Sequence, residues 1–265
     1  MLDVSGAQLF TLEVGDGPEV AVLLHGGPGA SHDYLRPGLD ALAAPARRRL
    51  FYYDQRGSGR SPLAPGSAPA PWQQHVADLD AVRVHLGGAP LTLVGYSWGA
   101  LLAMLYAIEH RSRVARLVLV SPAPAAARER AAMKERFGAM SKRPSVEALR
   151  ARLDPTDRRN RFALAVAGYF ADPALAVGLT PFVVKQSAED AVWRSLGDYD
   201  LRPSLGALAV PAIVAHGTED PIAIATARAT AEALGAEFVA IERCGHVPYV
   251  EAPAALFPPL LRFLG

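Results

Sequence analysis

A serine between two glycines is the first group in this sequence that could act as a nucleophile. The string GYSWG, residues 95–99, has the form G-x-S-x-G and stands between an apolar run typical of a strand, 91–94, and an apolar stretch typical of a helix, 100–110. At such a turn a serine hydroxyl projects beyond the carboxyl end of the sheet, and the glycines avoid clashes that a Cβ would cause. Ser97 is therefore predicted to be the nucleophile.

A base and an acid are expected after the serine, because a neutral hydroxyl needs a histidine to take its proton and the histidine needs a carboxylate to orient it. Two later strands, predicted at 210–215 and 237–241, run into loops that contain Asp220 and His246. The carboxyl ends of parallel strands share one edge of a sheet with the serine turn. We therefore predict His246 as the base and Asp220 as its orienting acid.

Other residues could take some of these places. Glu219 adjoins Asp220 and could replace it as the acid, whereas Asp54 follows a different strand. Cys244 is the only thiol and the only rival nucleophile, but nothing in the sequence places it on a sharp turn. A structural role is the favoured interpretation for Cys244.

The remaining histidines are less suited to act as the base. His25 leads into a turn that it would brace, and His216 stands at the end of a strand one loop too early. His75 and His85 fall on a predicted helix as surface groups. His32 and His110 stand at predicted helix ends.

A second turn, HGGPG at 25–29, follows the apolar strand predicted at 19–24. Two glycines before a proline let the backbone turn sharply and present the N–H of Gly27 toward a substrate carbonyl oxygen. Together with the N–H of Trp98 at the start of a helix, this predicts a two-donor oxyanion hole. Gly26, in the same turn, is a further candidate for contact with substrate.

Strands alternate with helices along most of the chain, which predicts a parallel sheet with helical crossovers and an α/β fold. Strands are predicted at 8–14, 19–24, 50–53, 91–94, 114–120, 210–215 and 237–241, and helices at 34–43, 72–86, 100–110 and 254–263. From Pro122 to about Asp200 the short strands stop, and charged, Ala-rich helical stretches appear at 128–140 and 146–153. The predicted division is a core of 1–121 and 201–265 with a helical insertion at 122–200.

Composition restricts the possible partners. The 27 basic and 26 acidic residues among 265 leave a net charge of +1, which gives no field that would attract nucleic acid or an anionic membrane. The single cysteine excludes an intrachain disulfide and a Cys-rich metal site. No phosphate-binding loop, metal-ligand spacing, signal peptide or membrane-length apolar run is found. A cytoplasmic protein without cofactor or metal, acting on a small molecule or short peptide, is expected.

The order of elements, the serine turn and the placement of Asp220 and His246 resemble the α/β-hydrolase fold. The strings HGGPG (25–29) and DQRGSGRS (54–61) are similar to those of its proline iminopeptidase branch. The resemblance covers about 8–121 and 205–265. It implies the nucleophile, base, acid and oxyanion donors already named, and a helical cap over the site.

That branch uses acidic residues, mainly in the cap, to bind the free amine of its substrate. Glu189 is the first candidate here, and the other acids considered are Asp190, Asp198, Asp200 and Glu219. The sequence departs from the branch in lacking a Trp-x-x-Trp-Glu string and in having Gly-Tyr-Ser rather than Gly-Gly-Ser at the serine turn. The predicted function is a serine hydrolase with an acyl-enzyme on Ser97, foremost an aminopeptidase. A carboxylesterase or lactonase is the alternative, and a non-catalytic binding relative is the remote one.

Overall fold

In a computed structural model that describes residues 1–44 and 47–265, a mostly parallel sheet carries the fold. The strands are β1 (Leu2–Val4), β2 (Ala7–Leu9), β3 (Thr11–Val14), β4 (Glu19–Leu24), β5 (Arg48–Tyr53), β6 (Leu91–Tyr96), β7 (Val114–Val120), β8 (Ala212–Gly217) and β9 (Glu237–Ile241). Within the described ranges, seven of them form one sheet in the order β3-β5-β4-β6-β7-β8-β9. Only the β3–β5 pair among these is antiparallel, so the predicted α/β class is confirmed.

Helices connect the parallel strands and cover the sheet. They are α1 (Trp72–His85), α2 (Trp98–Glu109), α3 (Arg128–Met140), α4 (Pro144–Arg152), α5 (Arg158–Val166), α6 (Gln186–Leu196), α7 (Arg202–Leu205), α8 (Ile224–Leu234), α9 (Pro248–Glu251) and α10 (Pro253–Leu264). Short 3₁₀ helices occur at His32–Leu35, Gly38–Ala43, Arg111–Arg113, Ala167–Tyr169 and Pro173–Gly178.

Both faces of the sheet are buried, which explains why strand β4 is apolar along most of its length. Val22 and Leu24 pack with α1, α2 and α8 in one hydrophobic cluster. Ala21 and Leu23, which point the other way, pack in a second cluster that includes α10. This double cover holds the carboxyl ends of the central strands in fixed positions, and the candidate site lies at those ends.

Two of the predicted elements, one strand and one helix, are interrupted in the structure. The strand predicted at 8–14 is divided at Phe10. Its carbonyl accepts from the Asp54 N–H (2.9 Å), in register with the β3–β5 pairing, but its N–H donates to the Ser61 side chain (Oγ, 2.8 Å) and not to a neighbouring strand. The helix predicted at 34–43 is two 3₁₀ helices on either side of Pro37, since a proline lacks an N–H and disfavours the helical conformation in the residue before it.

The chain between β7 and β8 contains four of the longer helices, α3 to α6. The two ends of this stretch meet: the Ala127 N–H donates to the Tyr199 carbonyl (2.7 Å), and the Leu201 N–H donates to the Ala125 carbonyl (2.8 Å). Helix α3 has the predicted bounds and α4 nearly so, but α5 and α6 were not predicted. Helix α6 proves important because it forms a wall of the candidate site.

His75 is buried, so its prediction as a surface group is wrong. It lies on the same face of α1 as Leu79 and Val82, at the i, i+4 and i+7 positions that face the core. Neither ring nitrogen has a hydrogen-bond partner in the described chain. The ring meets the Trp98 indole edge-on, with centroids 6.2 Å apart. Burial lowers the pKa of His75 from 6.5 to about 3.

This burial predicts a pH-dependent stability. Between the two pKa values the unfolded chain binds a proton at His75 that the folded chain does not, so acid favours unfolding. Going from pH 7 to pH 5 should remove about 2 kcal/mol of the free energy of unfolding through this residue. Urea unfolding of wild type and His75→Phe at both pH values should show a shallower pH dependence in the variant. His85→Gln, an exposed position on the same helix, is the control and should keep the wild-type slope. An unchanged slope in His75→Phe would contradict the assignment.

Candidate active site

Ser97 occupies a strained turn between β6 and α2. Its backbone has φ 54° and ψ −116°, a conformation that residues with a side chain rarely adopt. A Cβ on Gly95 would lie 2.5 Å from the Cα of Ala100, and one on Gly99 would overlap the carbonyl oxygen of Leu24. The glycine requirement expected from the sequence therefore follows from close backbone contacts on both sides of the serine.

The structure brings Ser97, Asp220 and His246 together from three separate loops. His246 Nε2 lies 3.1 Å from Ser97 Oγ, and His246 Nδ1 lies 2.8 Å from Asp220 Oδ2. With the Nδ1–H donating to the carboxylate, Nε2 is left free to accept the serine proton. This is the geometry that a serine nucleophile, a base and an orienting acid require.

Asp220 is completely buried, yet its surroundings favour the ionised carboxylate. Burial alone would raise its pKa, but electrostatic interactions with His246 and His216, with hydrogen bonds from His246 and the Ile222 N–H, hold the pKa below its ordinary value. The Ile222 N–H donates to Oδ1 at 2.7 Å, while Oδ2 faces His246. The carboxylate is thus fixed by the backbone on one oxygen and directed at the base with the other.

His216 contacts Asp220 and makes no hydrogen bond to Ser97 in the described chain. Its Nε2–H donates to the Ile222 carbonyl (2.8 Å) and lies 3.6 Å from Asp220 Oδ2. Sequence reasoning set this residue aside as a base and missed its contact with Asp220. The spacing of four residues between His216 and Asp220 was the signal available.

Glu219, the alternative acid, and Cys244, the alternative nucleophile, have surroundings unlike those of Asp220 and Ser97. Glu219 is exposed, and its backbone N–H donates to the Cys244 carbonyl at 2.9 Å. Cys244 itself is buried, and burial raises the pKa of its thiol well above the ordinary value, which disfavours the reactive thiolate. The structural interpretation of Cys244 agrees with this position.

His25 braces the loop that follows β4. Its Nδ1–H donates to the Gly26 carbonyl (2.8 Å), and its Nε2 accepts from the Gln55 N–H (3.0 Å). Burial lowers its pKa to about 4, so it stays neutral and can keep the accepting nitrogen. Asp54, the other acid considered, is engaged with His32 at 2.7 Å.

The backbone donors near the serine differ in availability. The Gly26 N–H donates to the Tyr34 hydroxyl (2.7 Å), and a Cβ on Gly26 would lie 3.1 Å from the Cβ of Ser97. Gly26 therefore packs against the serine with its own donor already used. Gly27, with φ 114°, lines the cavity above Ser97. Trp98 is the first residue of α2, where backbone N–H groups have no partner within the helix.

A cavity of about 550 Å³ opens above the serine, a size suited to a small ligand. Its floor includes Ser97, His246 and Gly27, and helices α3 and α6 provide much of its wall. The side chains of α3 and α6 that line it include Arg130, Lys134, Glu189, Asp190, Trp193 and Arg194. Arg130, Glu189 and Trp193 are partly buried, whereas Lys134, Asp190 and Arg194 are exposed at the rim.

Glu189, the first candidate for binding an amine, lines this cavity together with Ser97. Burial and the neighbouring Asp190 raise its pKa, and the side chains of Gln186 and Trp193 and the charge of Arg130 oppose that shift. A partly buried carboxylate in this setting gains from a cationic partner.

The other acids considered have different surroundings. Asp190 accepts from Gln186 Nε2 at 2.9 Å on the rim. Asp200 pairs with Arg202, whose Nε donates to it at 2.8 Å. Asp198 and Glu219 are exposed and are not among the residues that line the cavity. Glu189 is thus the acid of this group that combines partial burial with a place in the wall.

Tyr169 is a site residue that the sequence analysis missed. Its carbonyl accepts from the His246 N–H (2.6 Å), and its ring stacks on the imidazole with centroids 5.3 Å apart. The ring of Tyr96 lies 5.2 Å from the same imidazole, and its hydroxyl donates to the His246 carbonyl. No motif marks Tyr169, because its contact depends on how the 122–200 segment folds back over the sheet.

A family model described as the alpha/beta hydrolase fold matches residues 20–253. The chain belongs to the alpha/beta hydrolase fold family. The proline iminopeptidase of Lactobacillus crispatus (strain ST1) is 29% identical over 249 residues, which cover 87% of this chain and 84% of that protein. The resemblance inferred from the sequence is thereby confirmed.

Solved structures that resemble this alpha/beta hydrolase have the same fold. A proline iminopeptidase from Mycobacterium smegmatis superposes with a TM-score of 0.73 at 20% identity, covering 99% of this chain and 96% of that one. The enol-lactonase from Burkholderia xenovorans LB400 superposes with a TM-score of 0.71 at 22% identity, covering 98% of each chain.

In residues 1–44 and 47–265 there is no helix with the length and apolar character to cross a membrane, and no group of three or more side chains suited to hold a metal ion.

Proposed function

We propose that this alpha/beta hydrolase is a serine hydrolase that releases the N-terminal residue, foremost proline, from small peptides. The observation that carries the proposal is the continuous contact from Asp220 through His246 to Ser97 at the floor of a cavity that Glu189 also lines. The relatives named proline iminopeptidase support the choice of peptide over other acyl compounds.

In the proposed reaction Ser97 Oγ attacks the carbonyl carbon of the first residue while His246 Nε2 takes its proton. The oxygen that becomes negative is held by the N–H groups of Gly27 and Trp98. Collapse of this intermediate breaks the C–N bond, and His246 returns the proton to the departing amine. Water, activated by the same base, then hydrolyses the acyl-enzyme. Asp220 stays ionised and stabilises the imidazolium.

Glu189 is proposed to bind the free α-amine of the substrate. Its partial burial strengthens an ion pair, and an ammonium group would stabilise the carboxylate against the burial that raises its pKa. The segment 122–200 is proposed to act as a cap, since α3 and α6 supply the cavity wall above the serine. Peptide specificity would then come from the cap and bond cleavage from the core.

The decisive experiment compares kcat/KM for proline 4-nitroanilide, N-acetylproline 4-nitroanilide and 4-nitrophenyl acetate. An aminopeptidase should prefer the free amine over the acetylated compound by about 100-fold, because acetylation removes the charge that Glu189 binds. Activity on the ester alone would overturn the aminopeptidase assignment and favour a carboxylesterase or lactonase, which would use the same three residues.

Glu189→Gln tests the amine site directly. The variant should lose about 10- to 100-fold in kcat/KM on the free-amine anilide, the range expected for a hydrogen bond to a charged group, with little change on the ester. Asp198→Asn, an exposed acid of the same segment, is the matched control and should behave as wild type. Equal losses on anilide and ester in Glu189→Gln would argue against amine binding.

A further inference from the structure

Arg130 is a cation in the cavity wall without an acidic partner. Its guanidinium lies over the Trp193 ring, 3.8 Å from the centroid, and its buried Nε has no hydrogen-bond partner in the described chain. Across the residues that the structure describes, no carboxylate lies within 4 Å of this guanidinium in an ion pair. The proposed reaction gives Arg130 no task.

The environment of Arg130 is unfavourable for a cation that stays unpaired. Burial lowers its pKa, although electrostatic interactions with Tyr199 and Glu189 act in the opposite direction. Stacking on Trp193 offsets only part of the lost hydration, since the buried Nε–H has no partner in the described chain. A planar fork of donors is well matched to a carboxylate, which it can bind with two parallel hydrogen bonds.

The cavity wall carries charges of both signs. Its cations are Arg130, Lys134 and Arg194, and its acids are Glu189, Asp190 and Asp220. Asp220 is directed at His246, and Asp190 accepts from the Gln186 side chain at the rim. A ligand with charged groups of both signs therefore finds opposite charges in this wall.

Arg130 and Glu189 provide opposite charges on the two helices that form the wall, α3 and α6. Each influences the pKa of the other, yet they make no ion pair within 4 Å. A ligand with an ammonium group at one end and a carboxylate at the other could complement both. Extended residues span about 3.5 Å each, so the ends of a di- or tripeptide are roughly 7–10 Å apart, a length compatible with a cavity of about 550 Å³.

We propose that Arg130 binds the C-terminal carboxylate of a short peptide whose amine lies at Glu189. The preferred substrates are then di- and tripeptides with a free C-terminus, rather than long chains or capped peptides. This inference rests on the proposed aminopeptidase function and narrows its substrate class.

The test compares prolylglycine with prolylglycinamide, which differ in the terminal carboxylate. Wild type should show a kcat/KM at least about tenfold higher for the acid, and Arg130→Met should bring the ratio close to one. Because both substrates are measured on the same variant, a general loss of activity cancels in the ratio. Arg130→Lys should keep an intermediate ratio, since it retains the charge without the planar fork.

Arg128→Met is the matched control, because Arg128 lies on the same helix with its side chain 72% exposed and outside the cavity. It should keep the wild-type ratio. A ratio near one in wild type, together with hydrolysis of proline 4-nitroanilide, would overturn this inference alone. A ratio that survives in Arg130→Met would also overturn it. Absence of nitroanilide hydrolysis would overturn the proposed function and this inference together.

Discussion

Ser97→Ala should lower kcat by about 10⁵-fold or more on every ester and amide that the wild type cleaves, because no acyl-enzyme can form without the hydroxyl. Substrate binding should change little, since the cavity wall and the backbone donors are untouched. Steady-state rates on proline 4-nitroanilide and 4-nitrophenyl acetate, with the thermal unfolding midpoint as a check on folding, measure this directly.

Ser121→Ala is the control for this experiment. Ser121 follows the neighbouring strand β7, also has a positive φ (44°), and is completely buried with no hydrogen-bond partner for its hydroxyl in the described chain. Its removal should leave both rates within about twofold, because an unpaired buried hydroxyl contributes nothing to the bound state. Undiminished turnover in Ser97→Ala would instead support a non-catalytic relative or a different nucleophile.

The residues of the candidate site that were predictable from sequence share one property: each follows a strand of the parallel sheet. Ser97 follows β6, Asp220 follows β8 and His246 follows β9, so strand order alone brings them to one edge. Gly99 is a second indication of the serine turn, because any side chain at this position would overlap the backbone of β4. Local pattern and sheet topology are enough for these positions.

The residues that were not predictable depend on contacts between distant segments. Tyr169 meets His246 because the 122–200 segment folds back over the sheet, and Arg130 meets Trp193 because two helices of that segment, α3 and α6, approach each other. Helix α6 was not predicted although it buries Ala188 and Val192 on one face at the i, i+4 spacing, while another part of the helix lines the cavity. His75 is a different case, because its polarity suggested a surface position although the helical periodicity of α1 places it on the core face.

Asp220→Asn should reduce kcat by about 10⁴-fold while leaving the fold intact, because asparagine has nearly the same shape but cannot hold His246 in the required tautomer. In the structure the carboxylate accepts from His246 Nδ1–H and from the Ile222 N–H. An amide nitrogen turned toward the imidazole would donate to it, so the proton would move to Nε2, the atom that must accept from Ser97.

Glu219→Gln separates this prediction from the alternative acid. Glu219 is exposed, so its loss should change kcat by less than about twofold, the effect expected of a surface charge with no partner in the reaction. A pH profile of kcat/KM for all three proteins distinguishes a misplaced base from a misfolded one, since misfolding lowers the rate equally at every pH. If Glu219→Gln lost activity and Asp220→Asn kept it, the orienting acid would be Glu219. The loop after β8 would then have to rearrange to bring that carboxylate to His246.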